Sequence, residues 1–441
     1  MRETISIEIP DNWTQEREYA VFVIFHDFFD LSYSITKSDR TDYTISFGNK
    51  KITIKDDFWG KIKDNYIRVD YLPKIKLSTN RYCVESDIPI LYGSEDVVST
   101  ANEINCGIDI FASVFFMLSR WEELANNERD RQNRFSAFSS VAYKSNILDR
   151  PIVNEYVEML WNMLKDLCYN GERKQIPFEI VPTHDIDHIQ LKFHFLISVK
   201  KGLRMIFKSH NLTKGLKKIF KSIAYSPSRD LKFLLKCSDE LGLRSRFYFM
   251  SSETTVTYNP KNYLSNSLFK KFIKHLSNSN HIVGFHPGYA TSCNRHFWEE
   301  ELDRLRKAVP CEITEGRQHV LMWTNPETMR IWEANGMAID STLGYADSPG
   351  FRCGTGNLFH LFDVIEHKMM MLQERPLIIM DATLSNYMHL SDAEIKNTFK
   401  YYFAVGKKYS MPISILMHNT TFATCIENNW KKIYAESLSC Q

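Results

Sequence analysis

Short apolar runs alternate with polar turns over the first part of the chain, a pattern typical of β-strands in a small mixed domain. Two such runs flank Gly48-Asn49 and predict a hairpin, because Gly and Asn tolerate the backbone of a tight turn. Residues 108–126 and 152–167 instead have a broad apolar face at helical spacing. We predict an N-terminal domain of α/β or α+β class over residues 1–170. Its predicted strands are Tyr19–Phe25, 44–47, 51–54 and Ile88–Tyr92.

A regular alternation of strand-length apolar runs and helical patterns begins near residue 175 and continues to about 425. Repeated strand–helix units indicate a parallel sheet or a barrel. The predicted strands are 178–181, 247–250, 282–286, 317–321, 337–340, 377–381 and 413–418. The predicted helices are 228–241, 264–277, 294–308, 325–336 and 392–408.

Polar side chains follow most of these strands, at the point where each apolar run ends. The carboxyl ends of parallel strands meet on one face of a barrel, and that face carries the chemistry. Several carboxylates, imidazoles and one guanidinium in one bowl would form a hydrolytic or metal site. Helix-capping Asp and buried His are the structural alternative for each residue taken singly. The residues are Asp185, Asp187, His286, Arg317, His319, Asp340, Asp381 and His418.

Asp185 and Asp187 are the sharpest local signal. Alternate residues of an extended segment share a face, so the two carboxylates lie side by side. Two such charges repel unless a cation lies between them, or one carboxyl keeps its proton. One carboxylate on a metal and one free as a base would resolve the repulsion.

Composition excludes several classes of protein. The chain has 441 residues, 44% of them hydrophobic, which is enough for at least one large core. The net charge of +2 gives no indication of a nucleic-acid-binding protein. Nine cysteines without a CxxC pair are typical of reduced thiols, and the charged N-terminus lacks an apolar signal core. We expect a cytoplasmic protein.

A basic segment lies between the first and second strands of the barrel region. Residues 200–221 contain eight Lys or Arg and no acid, interleaved with apolar side chains. We predict a helical basic insertion over about 190–225, which could contact a membrane surface or a polyanion. The structural alternative is a solvated face of a packed helix.

The strand-end residues lie in stretches that resemble the motifs of the polysaccharide deacetylases (NodB homology, carbohydrate esterase family 4). The stretches are Thr183-His-Asp-Ile-Asp187, His281-Ile-Val-Gly-Phe-His286, Gly316-Arg-Gln-His319, Ile339-Asp340 and Ile415-Leu-Met-His418, in the order of the family. The resemblance is stronger to a Bacteroidetes-type subgroup with an N-terminal domain of unknown function. Its phrases are similar to residues 107–123 and 340–355 here.

The resemblance implies a distorted (β/α) barrel that removes an acetyl group from a carbohydrate with the help of a divalent metal. Carried over to this chain, Asp185 would be the base and His418 the acid. Arg317, helped by Asp340, would hold Asp185 in place. The metal would be held by Asp187 and His286 among others, with zinc expected and cobalt or nickel as alternatives. Residues predicted to bind substrate are Tyr289, Arg352 and Asp381.

The second motif departs from the family. Ala290 stands where the family has a second His, and Pro287 replaces its Ser or Thr. A hydrolytic metal needs about three protein ligands, so a third must come from elsewhere. His319 is the predicted third ligand, with Asn294 and His296 as alternatives. Metal binding is therefore expected to be weak, or lost.

Three functions remain open. The first is a metal-dependent deacetylase of an acetylated saccharide. The second is a saccharide-binding relative that kept the barrel and lost the full metal site. The third is a hydrolase of another amide or ester, because a retained fold does not fix the reaction.

Overall fold

The computed structural model describes residues 4–187, 227–252, 263–424 and 428–439, together with helical residues between 199 and 220. The strands in these ranges are β1 Ile5–Pro10, β2 Tyr33–Ser38, β3 Tyr43–Phe47, β4 Lys50–Ile54, β5 Lys76–Ser78, β6 Ile88–Ile90, β7 Gly93–Ser99, β8 Glu103–Ile108, β9 Ile180–Ile186, β10 Arg246–Phe249, β11 Ile282–Phe285, β12 Glu315–Gly316, β13 Ile339–Asp340, β14 Phe359–Asp363, β15 Lys368–Glu374, β16 Leu377–Met380 and β17 Ile413–Leu416. The α-helices are α1 Thr14–Phe22, α2 Ile110–Ser119, α3 Glu122–Ala125, α4 Val141–Lys144, α5 Ile152–Asp166, α6 Pro227–Glu240, α7 Ser267–Ser277, α8 Arg295–Ala308, α9 Glu327–Ala334, α10 Asp392–Lys408, α11 Thr421–Thr424 and α12 Trp430–Leu438.

The chain is divided into two compact units. The first contains Met1–Ile176 and Phe351–Pro376, and the second contains Pro177–Gly350 and Leu377–Gln441. The boundary near 176 lies close to the predicted one. The segment 351–376 differs from the prediction of an uninterrupted second domain over 175–425, because it belongs to the first unit.

The first unit is built on a mixed six-stranded sheet in the order β2-β1-β3-β4-β8-β7. The hairpin predicted around Gly48-Asn49 is present: β3 and β4 pair antiparallel, and Gly48 has a φ of 53°. The prediction of a strand over Ile88–Tyr92 corresponds to the short β6. A second hairpin, β14–β15, also belongs to this unit, where the Tyr19 hydroxyl donates to the His360 carbonyl at 2.7 Å.

The prediction of a strand over Tyr19–Phe25 is wrong. These residues lie in α1 and in the π-helical turn Val23–Phe28 that follows it. A short apolar run does not by itself separate a buried strand from a buried helix. The helix also buries Arg17, whose guanidinium pairs with Asp56 at 2.7 Å, and a pattern of apolar residues alone does not show such a pair.

The two helices predicted for the first unit fall close to their predicted positions. α5 coincides with the predicted helix to within a residue. The predicted helix 108–126 is divided into α2 and α3 at Arg120, which has a left-handed backbone with a φ of 53°. Every helix in the described ranges is too short or too polar to cross a bilayer.

The second unit contains seven parallel strands in the order β13-β12-β11-β10-β9-β17-β16. β9, β10, β16 and β17 are buried along their whole length, as strands covered on both faces are. This confirms the prediction of an α/β class with a parallel sheet. α10 matches its predicted range, and a capping box of Ser391 and Glu394 begins it.

The seven parallel strands of the second unit curl so that the first and the last of this order, β13 and β16, approach each other. The N–H of Leu377, at the start of β16, donates to the carbonyl of Leu343, three residues beyond β13. The N–H of Gly350 donates to Ile378 within β16. Among the described residues β13 and β16 are not paired as strands, so the sheet is a curled, incompletely paired form of the predicted barrel.

The prediction of a strand over 317–321 is also wrong. β12 ends at Gly316, and His319–Leu321 forms a short 3-10 turn in which Val320 and Leu321 have positive φ angles of 54° and 57°. The chain turns here because the N–H of Arg317 bonds to Phe285 and that of His319 bonds to Pro287, which both lie on or just after β11.

Candidate active site and metal centre

The two aspartates of the first motif lie at the carboxyl end of β9, in the middle of the curled sheet. β9 is paired with β10 on one side and β17 on the other. Asp185 is the penultimate residue of β9 and is 2% exposed, while Asp187 follows the strand. Their carboxylates therefore lie at the end of a strand that is buried along its whole length and paired on both sides.

Arg317 is fully buried and fixes Asp185. Its Nη1 donates to Oδ1 of Asp185 at 3.0 Å and to the hydroxyl of Thr183 at 2.8 Å. Its Nε and Nη2 donate to the carbonyl and hydroxyl of Ser341, at 2.7 and 2.9 Å. The guanidinium carbon also lies 5.3 Å from the centre of the Tyr248 ring. Residue types alone gave no reason to select Thr183 or Ser341.

Gly316 allows Arg317 to reach this position. A Cβ atom at Gly316 would lie 2.0 Å from the carbonyl oxygen of Phe285 on the neighbouring strand β11. No side chain fits at that distance, so the close approach of β11 and β12 requires glycine. Arg317 therefore enters the site from a backbone position that the preceding glycine fixes.

Asp187, His286 and His319 form a compact cluster. One ligand atom from each lies within 4.8 Å of the others. Nε2 of His286 lies 3.4 Å from Oδ1 of Asp187 and 3.0 Å from Nδ1 of His319. Oδ1 of Asp187 is buried and lacks a hydrogen-bond partner among the described residues. The chain thus brings together the three residues that the sequence proposed as metal ligands.

The tautomer of His286 suits it to binding a metal. Its Nδ1 lies 2.7 Å from the carbonyl oxygen of Arg317, which can only accept, so Nδ1 carries the proton. In the neutral ring the lone pair of Nε2 is then directed at Asp187 and His319. A hydrogen bond from the other ring nitrogen to a backbone carbonyl is a usual support for a metal-binding histidine.

The charges of the cluster follow from burial and from the neighbouring carboxylates. Burial lowers the pKa of His319 to about 4, so its imidazole is neutral at neutral pH. Burial opposes ionisation of Asp187, but its interaction with His286 and the neighbouring imidazoles of His319 and His418 hold its pKa well below the usual range. Burial also opposes the charge on His286, whereas Asp185 and Asp187 raise its pKa above the usual value.

This donor set fits a divalent ion. One carboxylate and two imidazoles are the ligands of many hydrolytic zinc sites, and three protein ligands leave positions open for water and substrate. The partnerless Oδ1 of Asp187 is an independent sign of fit, because a buried carboxylate oxygen normally has a hydrogen-bond donor or a cation.

His418 lies beside the same strand end and is held by Asp381. His418 is two residues beyond Leu416, and Asp185 is two residues beyond Thr183, the residue that pairs with Leu416. Nδ1 of His418 lies 2.7 Å from Oδ1 of Asp381, and its backbone N–H donates to Oδ2 at 2.8 Å.

The charge of His418 is set by these carboxylates. Burial would lower its pKa, but Asp381 and, more weakly, Asp187 and Asp185 raise the pKa of His418 to about 10. The imidazole is therefore protonated at neutral pH. The Asp381 carboxylate also accepts from the Thr421 hydroxyl and from the N–H of Ala382, so it is fully engaged inside the protein. This differs from its predicted role in binding substrate.

Asp340 is completely buried one residue before Ser341. Its Oδ1 accepts from the Thr342 hydroxyl, and its Oδ2 has no hydrogen-bond partner in the described ranges. Burial raises the pKa of Asp340 to about 7. The sequence predicts that Asp340 helps Arg317 to hold Asp185. No hydrogen bond joins Asp340 to Arg317 among the described residues, so the two side chains interact only through their charges.

The loop after β11 is braced from two sides, by residues that the sequence did not single out. The side-chain Nε2 of Gln318 donates to the carbonyl of Gly288 at 2.9 Å and to the hydroxyl of Thr291 at 2.6 Å. The buried carboxylate of Glu301 accepts from the N–H of Gly288 at 2.7 Å. The three residues after Gly316 thus have separate tasks: Arg317 holds Asp185, Gln318 holds the loop, and His319 joins the metal cluster.

Other predicted residues lie outside this cluster. Tyr289 begins the short turn Tyr289–Thr291 and is half-buried, and its role in binding substrate stays a prediction. Arg352 belongs to the first unit, where its Nη2 lies 2.6 Å from Glu123. Asn294 caps α8, and His296 is exposed on that helix beside Glu300, so neither is placed as a third ligand.

Comparison with known proteins identifies a family for the N-terminal residues and a similar structure of low sequence identity. Residues 5–169 match a family of unknown function (DUF7033), a range close to the predicted N-terminal domain. No curated protein matches the sequence. A crystal structure of a proposed polysaccharide deacetylase from Mycobacterium smegmatis is similar, with a TM-score of 0.38 and 12% identity, over 60% of this chain and 85% of that one. The case for a function therefore rests on the geometry of the site.

Proposed function

We propose that the second unit is a metal-dependent hydrolase that removes an acetyl group from a carbohydrate. The observation that carries the proposal is the cluster of Asp187, His286 and His319 beside two separately held groups. One is the carboxylate of Asp185, which is paired with Arg317, and the other is the imidazole of His418, which is paired with Asp381. A site with a metal position, a base and an acid has the parts that acyl hydrolysis needs.

Asp187, His286 and His319 would hold the ion. A bound divalent ion would supply a Lewis acid that polarises the acyl carbonyl and makes water more acidic. The open side of the three-ligand set is where the acyl group would bind.

Asp185 is suited to the part of the base. Arg317 donates a hydrogen bond of 3.0 Å to its Oδ1. Its Oδ2 faces the metal cluster, 3.8 Å from Nε2 of His286. A water molecule placed there would give its proton to Oδ2 as it attacks the acyl carbon.

His418 is suited to the part of the acid. Because Asp381 binds Nδ1, the proton that can leave the protein is the one on Nε2. Asp381 and the strand-end carboxylates keep the ring protonated at neutral pH, with the pKa raised to about 10 despite burial. His418 would give this proton to the leaving amine or alcohol as the acyl bond breaks.

The choice of an acetylated saccharide as substrate comes from the resemblance of the motifs rather than from the geometry. The strand-end stretches from Thr183 to His418 resemble those of the polysaccharide deacetylases in identity and order. Hydrolysis of another amide or ester would use the same acid, base and metal, so the substrate has to be found by experiment.

The test is acetate release from a panel of N- and O-acetylated saccharides. The protein is first treated with a chelator and then supplied with zinc, cobalt or nickel. We expect acetate release that depends on the added metal and that Asp187→Ala abolishes. Asp303→Ala is the matched control, because Asp303 is an exposed aspartate paired with Lys307 on α8.

Two outcomes would contradict the proposal. Saccharide binding without acetate release on the whole panel would favour the non-catalytic relative. Release of a different acyl group or of an alcohol from another ester, with acetylated sugars inert, would favour a different hydrolase on the same scaffold.

A further inference from the structure

The basic segment between β9 and β10 contains an internal repeat. Residues 201–208 read KGLRMIFK and residues 214–221 read KGLKKIFK, so six of eight positions are identical. Much of the predicted insertion, 190–225, lies outside the described residues. Those that are described, namely 199–200, 202–207, 212–213, 215–216 and 219–220, are helical.

The two copies pack against each other reciprocally. A Cβ atom at Gly202 would lie 2.6 Å from Cγ1 of Ile219 and 2.9 Å from the carbonyl oxygen of Gly215. A Cβ atom at Gly215 would lie 2.4 Å from Cγ1 of Ile206 and 2.7 Å from the carbonyl oxygen of Gly202. The glycine of each copy thus lies opposite the isoleucine of the other, which is the pairing that two antiparallel helical arms give.

The repeat also determines where the larger apolar side chains point. Gly and Ile are four residues apart and form the stripe of each arm that packs against the other arm, while Leu and Phe are four apart and lie about 100° further round the helix. Two antiparallel arms with this reciprocal packing are related by a twofold axis perpendicular to the plane that contains them. Such an axis exchanges the arms but keeps each face of the pair on the same side. The Leu and Phe of both copies are therefore placed on one face of the hairpin, which we call the Leu-Phe face; it consists of Leu203, Phe207, Leu216 and Phe220.

The Leu-Phe face is open to solvent. Phe207 is 73% exposed and Phe220 66%, and Leu203 and Leu216 are 43% and 40% exposed. Leu212, between the arms, is 59% exposed. A solvated polar face would not leave two phenylalanines and three leucines uncovered within 18 residues, so this pattern indicates an interaction surface.

The charge around this face selects the kind of partner. Residues 200–221 contain eight Lys or Arg and no acid, whereas the whole chain has a net charge of only +2, so the rest of the chain is net negative. A partner that accepts phenylalanine and leucine side chains and also attracts a segment rich in Lys and Arg has an apolar interior and an anionic surface. An anionic lipid bilayer has both, while a polyanionic glycan offers no apolar interior to the leucines.

We propose that the Leu-Phe face, on the described residues of the two arms, attaches the protein to the surface of an anionic membrane. The Leu-Phe face enters the region between headgroups and acyl chains, and the exposed Lys200 and Arg204 remain among the headgroups. This attachment does not depend on the proposed chemistry of the second unit. It would place the protein where substrates carried on lipids are found.

The experiment is co-sedimentation of the full chain with vesicles. We expect binding to vesicles of phosphatidylcholine and phosphatidylglycerol in equal parts, and much weaker binding to phosphatidylcholine alone. Shortening the Debye length from about 10 Å to about 3 Å with salt should release much of the protein. The double variant Phe207→Ser with Phe220→Ser should bind about a hundredfold more weakly, about tenfold for each phenylalanine removed.

Two further variants sharpen the test. Lys200→Glu with Arg204→Glu should weaken the preference for phosphatidylglycerol, because both residues are exposed and the net charge of residues 200–221 falls by half. Phe138→Ser with Met371→Ser is the matched control, since these side chains are 53% and 77% exposed in the first unit and should leave vesicle binding unchanged. Circular dichroism checks that each variant is folded.

Several results would overturn the proposal. They are equal binding of the wild type to neutral and anionic vesicles, no binding to either, and full binding by the Phe207/Phe220 variant. Heparin binding without vesicle binding would assign the basic segment to a polyanion instead. A dimer detected by light scattering that the Phe207/Phe220 variant loses, in a protein that does not sediment with vesicles, would make the Leu-Phe face an interface between copies of the chain.

Discussion

His418 and Asp381 follow neighbouring strands and are joined twice, by a contact of 2.7 Å between Nδ1 and Oδ1 and by a backbone hydrogen bond of 2.8 Å to Oδ2. The first contact fixes which ring nitrogen faces the site, and the second fixes the start of the loop after β17. The strand order explains the meeting, because β17 lies between β9 and β16. The carboxylate that ends one strand thus orients the imidazole that ends the next.

The first prediction concerns the pH dependence of folding in metal-free protein. The folded pKa of His418, about 10, is raised above its unfolded value of about 6.5. A raised histidine pKa contributes stability that is fully present below pH of about 6.5 and is lost as the pH rises through about 10. Asp381→Asn removes the main cause of the raised pKa, so the free energy of unfolding should fall less steeply between these values.

Urea unfolding of both proteins across this pH range measures the difference. His360→Ala is the control, because this histidine is also paired with an aspartate, Asp27. Both residues belong to the first unit, whereas His418 and Asp381 belong to the second. Parallel curves for the wild type and Asp381→Asn would show that Asp381 does not set the charge of His418.

The sequence predicted the class of the second unit and the position of its site, because buried parallel strands are continuous apolar runs and their ends are marked by polar residues. It placed Asp187, His286 and His319 in one metal group, as the structure does. It could not assign Asp381 to His418, since that pairing depends on β17 being inserted between β9 and β16. Small hydroxyl residues such as Ser341 also carry no signal until the fold brings Arg317 to them.

The remaining differences have local physical causes. The run Tyr19–Phe25 is apolar enough for a strand and is instead a buried helix, since burial on all sides removes the difference in periodicity. The segment 351–376 lies between β13 and β16 of the second unit along the chain, and yet it belongs to the first unit. No change of composition marks the points where the chain passes from one unit to the other.

The second prediction concerns the buried pair of Arg317 and Asp185. Arg317→Met leaves the Asp185 carboxylate buried without its cation, and breaking a buried ion pair costs about 3–5 kcal/mol of stability. Asp185→Asn in the same chain removes the stranded charge, so the double variant should be more stable than the sum of the single effects predicts. Arg295→Met is the control: its partner Glu299 is exposed, and the change should cost under about 1 kcal/mol. Urea unfolding of the four proteins of the cycle gives the coupling, and additive effects would contradict it.

The third prediction concerns metal binding. Titration calorimetry at neutral pH should show one zinc ion bound per chain, and the melting temperature should rise as the free zinc concentration is raised, because zinc binds the folded state. Asp187→Ala and His319→Ala should each lose this binding, because each removes one of three ligands. His296→Ala, an exposed histidine on α8, should keep it. If His319→Ala binds zinc as well as the wild type, the third ligand is another residue.

The fourth prediction separates the acid and the base from the metal site. A positioned acid or base contributes about 10²–10⁴-fold to rate, so Asp185→Asn and His418→Ala should each lower turnover on an acetylated saccharide by about that factor. Neither residue belongs to the metal cluster, so both variants should bind zinc like the wild type. Saccharide affinity should change little, because the loops around the strand ends would hold the substrate.

Asp303→Asn and His296→Ala are the matched controls on the exposed face of α8. Turnover that survives both Asp185→Asn and His418→Ala would refute these roles, whereas loss of turnover together with loss of zinc would show that the substitutions had disturbed the metal site.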